Sequence, residues 1–186
     1  MNKTSWMSIG AVALAFGAIG AVVGTRHNAP AAVAAVPAPA AGQAAAPGPV
    51  GALFAQSMND AAGAPHALAQ WKGKALVVNF WAPWCGPCVQ EMPELAQLAT
   101  ETAGSNVRVI GIGIDTPSNI AQFASTLKIT YPLYVAGMSG TELSRQFGNS
   151  AGGLPYTVLI GADGQVKKTY LGRLKFAELK ADLARL

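Results

Sequence analysis

Cys85 and Cys88 are the only thiols in a chain of 186 residues, and just two residues separate them. Thiols at this spacing lie one helical turn apart and can close into a disulfide of their own. The chemistry they support is thiol–disulfide exchange, in which one thiolate attacks a foreign disulfide and the second resolves the mixed disulfide. The thiolate is the nucleophile, so the pair needs a place that favours negative charge. A helix N-terminus is such a place, with unpaired N–H groups and about half a positive charge. Lowering a thiol pKa from about 8.5 to about 7 takes roughly 2 kcal/mol, within reach of that dipole plus hydrogen bonds to sulfur.

The flanking residues build this terminus. Ala75 to Trp81 reads ALVVNFW, a run of strand length rich in β-branched and aromatic residues. A run apolar on both sides suits a central strand covered on both faces. Ala82-Pro83 breaks it, and Trp84-Cys85-Gly86-Pro87-Cys88 follows. From Gly86 the pattern turns helical, with Val89, Met92, Leu95, Ala96 and Leu98 at intervals of three and four, ending near Gly104. Cys85 therefore stands where a buried strand hands over to a helix, and Cys88 lies one turn inward on the same face.

The segment FWAPWCGPC, with Pro93 five residues after the second cysteine, resembles the active site of the thioredoxin superfamily. Asn79, where cytoplasmic thioredoxins carry a buried Asp, and the run Glu91-Met92-Pro93 resemble its TlpA/ResA branch of membrane-tethered or periplasmic thiol–disulfide oxidoreductases. The resemblance covers roughly Leu53 to Leu186. It implies an α/β thioredoxin fold, a central mixed sheet flanked by helices, with a TlpA/ResA-type central insertion and a preceding N-terminal membrane helix. It implies Cys85 as nucleophile and Cys88 as resolving thiol. Pro155 matches the superfamily's cis-proline, which faces the cysteine pair. Leu154 before it would hold the client chain in extended form, and Trp84, Pro87 and Pro155 would shape the groove. An acidic residue at the end of the second strand lies near the cysteines in ResA-type proteins, and Asp115 falls there by spacing. It would accept the proton of Cys88, compensating for Asn79, which cannot titrate. The residue in those proteins is a glutamate, one methylene longer. The other reading of Asp115 is a helix start signal ahead of Thr116-Pro117-Ser118.

The remaining elements follow from periodicity and punctuation. Leu53 to Met58 reads as an entry strand, Asp60 to Gly63 as a turn, and Ala67 to Trp71 as one helical turn. His66 has nothing coupling it to the cysteines and reads as a surface residue. Val107 to Ile114 is a second apolar strand, which must lie parallel to the first because a helix connects them. A helix opens at Thr116-Pro117 with Ile120, Phe123, Ala124 and Leu127 on its apolar face. Tyr131 to Val135 reads as a strand and Thr141 to Phe147 as a short helix; these two are the implied insertion. Pro155 opens a strand ending at Ile160, since a strand's first residue tolerates the missing N–H. Ala162-Asp163-Gly164-Gln165 is a hairpin turn, Val166 to Leu171 the return strand. Leu174 to Leu186 is a last helix with Phe176, Leu179 and Leu183 inward.

Three segments divide the chain. Residues 1–27 hold an uncharged apolar stretch, Met7 to Gly24, preceded by Lys3 and Trp6. Its 18 residues fit a short membrane anchor, with a cleaved signal peptide as the alternative. Lys3 and the amino terminus against Arg26 favour the N-terminus inside. Residues 28–51, nearly all Ala, Pro, Gly and Val, form a semi-rigid tether, and residues 52–186 the thioredoxin-like domain. Either reading puts that domain outside the cytoplasm: a single-pass protein of a bacterial inner membrane with a periplasmic catalytic domain, or a soluble periplasmic protein. Of the formal charge of +4, Lys3 and Arg26 supply two, leaving 11 basic against 9 acidic residues beyond them, which is no nucleic-acid footprint. No cofactor beyond the Cys85–Cys88 disulfide is expected, and no metal. The Gly-Pro between the cysteines matches thioredoxin, with a potential of about −270 mV against about −120 mV for the oxidant DsbA. That favours a reductant of client disulfides, which outside the cytoplasm needs a membrane electron donor; the resemblance suggests the DsbD or CcdA type. It also suggests clients in cytochrome c or copper-oxidase maturation. A copper-delivery module using the same two thiols is the alternative, although no His or Met cluster completes a site.

Overall fold

The structure, a computed structural model, describes residues 48–186. The apolar segment of residues 1–27 and most of the Ala/Pro-rich stretch lie outside the described residues. Among those described, no helix is long and apolar enough to cross a membrane.

Seven strands form one mixed sheet. The order is β2 (Pro65–Ala67), β1 (Ser57–Asp60), β5 (Leu133–Val135), β4 (Val107–Gly113), β3 (Ala75–Trp81), β6 (Tyr156–Ile160) and β7 (Val166–Leu171). β3 pairs parallel with β4 and antiparallel with β6, and β4 pairs parallel with β5. Every residue of β3 is buried, as a central strand with helices over both faces requires. Leu76, Val78 and Phe80 pack on one face with Ile110, Ile112 and Val158. The alternate residues Val77 and Trp81 face α2 (Gly86–Glu101), through Cys88, Met92, Leu95 and Leu98. α3 (Pro117–Thr126) and α5 (Phe176–Leu183) add Ile120 and Leu179 to that second layer. β5 leads into α4 (Ser139–Gln146), whose Leu143 packs on the opposite face.

One expectation needs correction. The apolar stretch Leu53 to Met58 is not an entry strand: Pro49–Phe54 is a helix, α1, and the strand β1 begins only at Ser57. Proline near the helix start forfeits no bond, and the short helix carries Leu53 into the core with no exposed surface. Part of the stretch assigned to the tether is thus helical. His66 lies at the surface, as expected, with 36% of its side chain exposed. It pairs at 2.9 Å with Asp60 across the β1–β2 hairpin and meets the Tyr134 ring edge-on.

Candidate active site

β3 ends at Trp81, and a tight turn through Pro83 and Trp84 delivers Cys85 to the N-cap of α2. Its backbone is extended (φ −89°, ψ 100°), and its Sγ accepts the Cys88 N–H at 3.3 Å. A sulfur in this position takes the place of a capping oxygen, so a thiolate there meets both an N–H donor and the helix dipole. The two sulfurs form a disulfide, S–S 2.06 Å with Cα atoms 5.2 Å apart. Cys85 is 6% exposed and Cys88 not at all. The outer sulfur is therefore the one an incoming disulfide can reach. Gly86 and Pro87 lie exposed on the first turn beside it.

The Leu154–Pro155 peptide bond is cis. Pro155 is buried, while Leu154 is partly exposed and packs against the apolar cluster that contains both cysteines. Leu154, Trp84 and Asp115 line one cavity of about 690 Å³, completed by Ile114, Val135 and Met138. Trp84 and Met138 are 69% and 80% exposed at its rim, an apolar mouth beside the redox pair. Neither cysteine lines this cavity, nor do Pro87 and Pro155. Asp115 Oδ1 accepts the Thr116 N–H at 2.6 Å and the Asn119 amide at 2.7 Å. The cap of α3 itself is Thr116, whose Oγ1 accepts the Asn119 N–H.

A second carboxylate lies deeper. Glu91, one helical turn after Cys88, has no exposed surface. Asn79 Nδ2 donates to its Oε1 at 2.8 Å, and the Leu174 N–H donates to its Oε2 at 2.8 Å. The nearest cation, Arg173, is paired with Glu94 at 3.0 Å. Burial pushes the Glu91 carboxyl above its usual range, against the pull of the Leu174 and Asn79 donors. A carboxylate so placed is a ready proton acceptor. Sequence reasoning used Glu91 only as part of a family motif and assigned it no role. The signal was present: positions 88, 91, 92, 95 and 98 lie on one helical face, and the other four are inward-facing.

A cysteine pair at a helix N-terminus, a cis-proline at the start of β6 and a buried carboxylate on α2, built on a mixed sheet, define a thioredoxin-like protein whose chemistry is thiol–disulfide exchange. The Redoxin family model matches residues 35–183, and the chain belongs to the Redoxin family. It is 30% identical over 127 residues to the thiol-disulfide oxidoreductase ResA of Geobacillus thermodenitrificans, covering 68% of this chain and 71% of that one. Its structure is similar to the crystal structure of a thiol:disulfide interchange protein of the thioredoxin family from Chlorobium tepidum. There the TM-score is 0.61 and the identity 30%, over 70% of this chain and 91% of the other. A DsbF homologue from Corynebacterium diphtheriae gives a TM-score of 0.61 at 26% identity, over 70% and 83%.

Proposed function

We propose that this chain reduces disulfides of client proteins on the outer side of a bacterial inner membrane. What carries the reading is the Cys85–Cys88 disulfide at the start of α2, with Trp84 before it on the rim of an apolar cavity and the buried Glu91 one helical turn after Cys88. The Cys85 thiolate attacks one sulfur of a client disulfide, and the other client sulfur leaves as a thiolate. Cys88 gives its proton to Glu91 and attacks Cys85 Sγ. The client's second thiolate leaves, and two electrons have passed from the pair to the client. Trp84, Pro87, Leu154 and Pro155 position the client chain. The wall of the mouth formed by Val135 and Met138 comes from the β5–α4 segment, the TlpA/ResA-type insertion. Asp115, on the same wall, is the other acceptor open to Cys88; the greater burial of Glu91 favours Glu91.

The apolar stretch Met7 to Gly24 supports membrane tethering, and a tethered reductant requires a donor of the DsbD or CcdA type. Maturation of cytochrome c or of copper oxidases supplies suitable clients. Among the described residues no group of three or more His, Cys, Asp and Glu side chains clusters as metal ligands, so the copper-delivery reading gains no support. The test is the reduction potential of the pair in the full chain, equilibrated with dithiothreitol or glutathione buffers. A value at or below about −250 mV supports a dedicated reductant, and one near −120 to −150 mV makes the protein an oxidant or isomerase.

A further inference from the structure

Thiolate and thioether sulfurs are the protein atoms that peroxides oxidise readily, and exposure decides which of them react. Among the described residues sulfur occurs at five positions, Met58, Cys85, Cys88, Met92 and Met138. The two cysteines are joined in a disulfide and offer an oxidant no thiolate. Met92 has no exposed surface and Met58 is 7% exposed, and both sit in the apolar core. Met138 is 80% exposed, more than any other large apolar side chain among the described residues. Met1 and Met7 lie outside those residues.

A tightly packed turn puts Met138 there, as the residue that precedes α4. The Ala136 N–H donates to Gly113 O at 3.0 Å, the Ser139 hydroxyl to Ala136 O at 2.6 Å and the Thr141 N–H to Met138 O at 3.1 Å. Gly137 turns the chain at φ +55°, where a side chain would be strained. Gly140 presses the start of α4 onto Ile114: a Cβ there would lie 2.9 Å from Ile114 Cγ1 and 3.0 Å from Ala136 Cβ. The backbone of Met138 is thus fixed while its side chain stands in solvent. It belongs to neither apolar core cluster, so a change at its sulfur leaves the core packing intact. What it does touch is the cavity shared with Trp84, Asp115 and Leu154, where the client chain is held. An unbranched, polarizable thioether suits such a rim, because it adapts to varied apolar side chains and attracts aromatic rings. Oxygen on the sulfur reverses this by making the side chain polar.

We propose that Met138 is a peroxide-sensitive modification site, whose oxidation to the sulfoxide weakens capture of clients carrying a large apolar or aromatic residue beside the disulfide. This deepens the proposed function and rests on it. In the step, a lone pair of Met138 Sδ attacks one oxygen of hydrogen peroxide, the O–O bond breaks and an S–O bond forms. The hydroxide released takes the proton from the oxygen now on sulfur and leaves as water. Sulfur loses two electrons and the peroxide gains them. Client side chains then meet a polar S–O group on the rim, which they cannot cover without desolvating it. The Cys85–Cys88 pair is untouched, so the chain keeps its exchange chemistry and loses its preference among clients.

The test treats the full chain, with its cysteine pair oxidised, with hydrogen peroxide and locates the added oxygen by peptide mass mapping. Met138 should gain it faster than Met58 and Met92 in proportion to exposure, about tenfold or more. The peroxide is then removed, the pair is reduced with dithiothreitol, and single-turnover reduction of two cyclic disulfide peptides is followed. One peptide carries phenylalanine beside a cysteine, and the other serine. For the phenylalanine peptide the half-saturating concentration should rise about two- to tenfold, the range that one methionine–aromatic contact spans, with the limiting rate unchanged. The serine peptide should respond less. Reduction of the pair by dithiothreitol, which is too small to need the rim, should keep its rate. Met138→Leu, compared with its own untreated form, should not respond to peroxide, and Met138→Gln should show the raised half-saturation without it. Equal oxidation of the three methionines, an unchanged half-saturation once Met138 is fully oxidised, or the same rise in treated Met138→Leu overturns the proposal. Failure of the untreated chain to reduce either peptide strikes the proposed function instead, and the mass map then decides by itself whether Met138 is oxidised selectively.

Discussion

Glu91 and Asp182 are both buried acids on helices of the same domain, and their surroundings drive them in opposite directions. Glu91 meets an amide and a backbone N–H and no cation, so burial dominates and its carboxyl is held toward the protonated form. Asp182, in α5, accepts from Lys168 Nζ at 2.7 Å and from the Tyr170 hydroxyl at 2.6 Å, and Arg185 pairs with its other oxygen. The Lys168 hydrogen bond is the largest cause that holds Asp182 below the usual carboxylate range. The first carboxyl is placed to exchange a proton; the second pins the last helix to β7. Burial selects neither role: the charge of the donors does.

The strongest way to break this contrast is kinetic. Glu91→Gln keeps the shape and loses the proton acceptor, so resolution of the mixed disulfide by Cys88 should slow about a hundredfold or more, the lower range of general-base contributions. Asp182→Asn should leave that step at the wild-type rate. Rapid-quench trapping of the mixed disulfide measures both, and a wild-type rate for Glu91→Gln would end the assignment.

The same contrast has a thermodynamic face. Glu91 is protonated in the folded chain at pH values where the unfolded chain has already lost that proton. Stability should therefore fall as pH rises from about 4.3 through the raised folded pKa. Glu91→Gln should lack this slope, whatever its absolute stability. For Asp182 the sign reverses. Its stabilising contribution is present above about 3.9, the unfolded value, and is lost as pH falls through the lowered folded pKa. Asp182→Asn should accordingly lower the thermal midpoint by a few degrees at neutral pH, with the gap closing in acid. Melting curves between pH 3 and pH 8 distinguish the two; parallel curves would remove the distinction.

The strand-to-helix junction was legible in the sequence because each part carries its own local signal: seven apolar residues, a proline break and a three-four periodicity. The β6–β7 hairpin was legible through Ala162-Asp163-Gly164-Gln165, where Gly164 adopts φ +74°. α1 was not legible, since six residues around Leu53 are too few to separate helical from strand periodicity. Glu91 was missed for a different reason. Its environment is completed by the Leu174 N–H, 83 positions away, and no local pattern states which distant backbone donor will arrive. The Tyr131 hydroxyl, enclosed with no hydrogen-bond partner among the described residues, belongs to the same class. Tyr131 lies in the loop before β5, and its neighbours Trp81 and Gly111 lie on β3 and β4.

The smallest expected effect concerns Asp115, and it decides how many carboxylates serve the cysteines. Its Oδ1 already braces the entry to α3 through Thr116 and Asn119, and an asparagine oxygen can accept the same two donors. Asp115→Asn therefore preserves the local geometry and removes only a half-exposed charge on the wall of the client cavity. An interaction of that kind is worth roughly 0.2–1 kcal/mol. Resolution by Cys88 should change less than about fivefold, while the apparent affinity for clients carrying a basic residue beside the disulfide should weaken by a similar factor. A loss comparable to that of Glu91→Gln would place Asp115 in the proton path beside Glu91. The Asp115→Asn, Glu91→Gln double variant would then separate a shared acceptor from two independent ones, because coupled groups lose less together than their separate losses sum to.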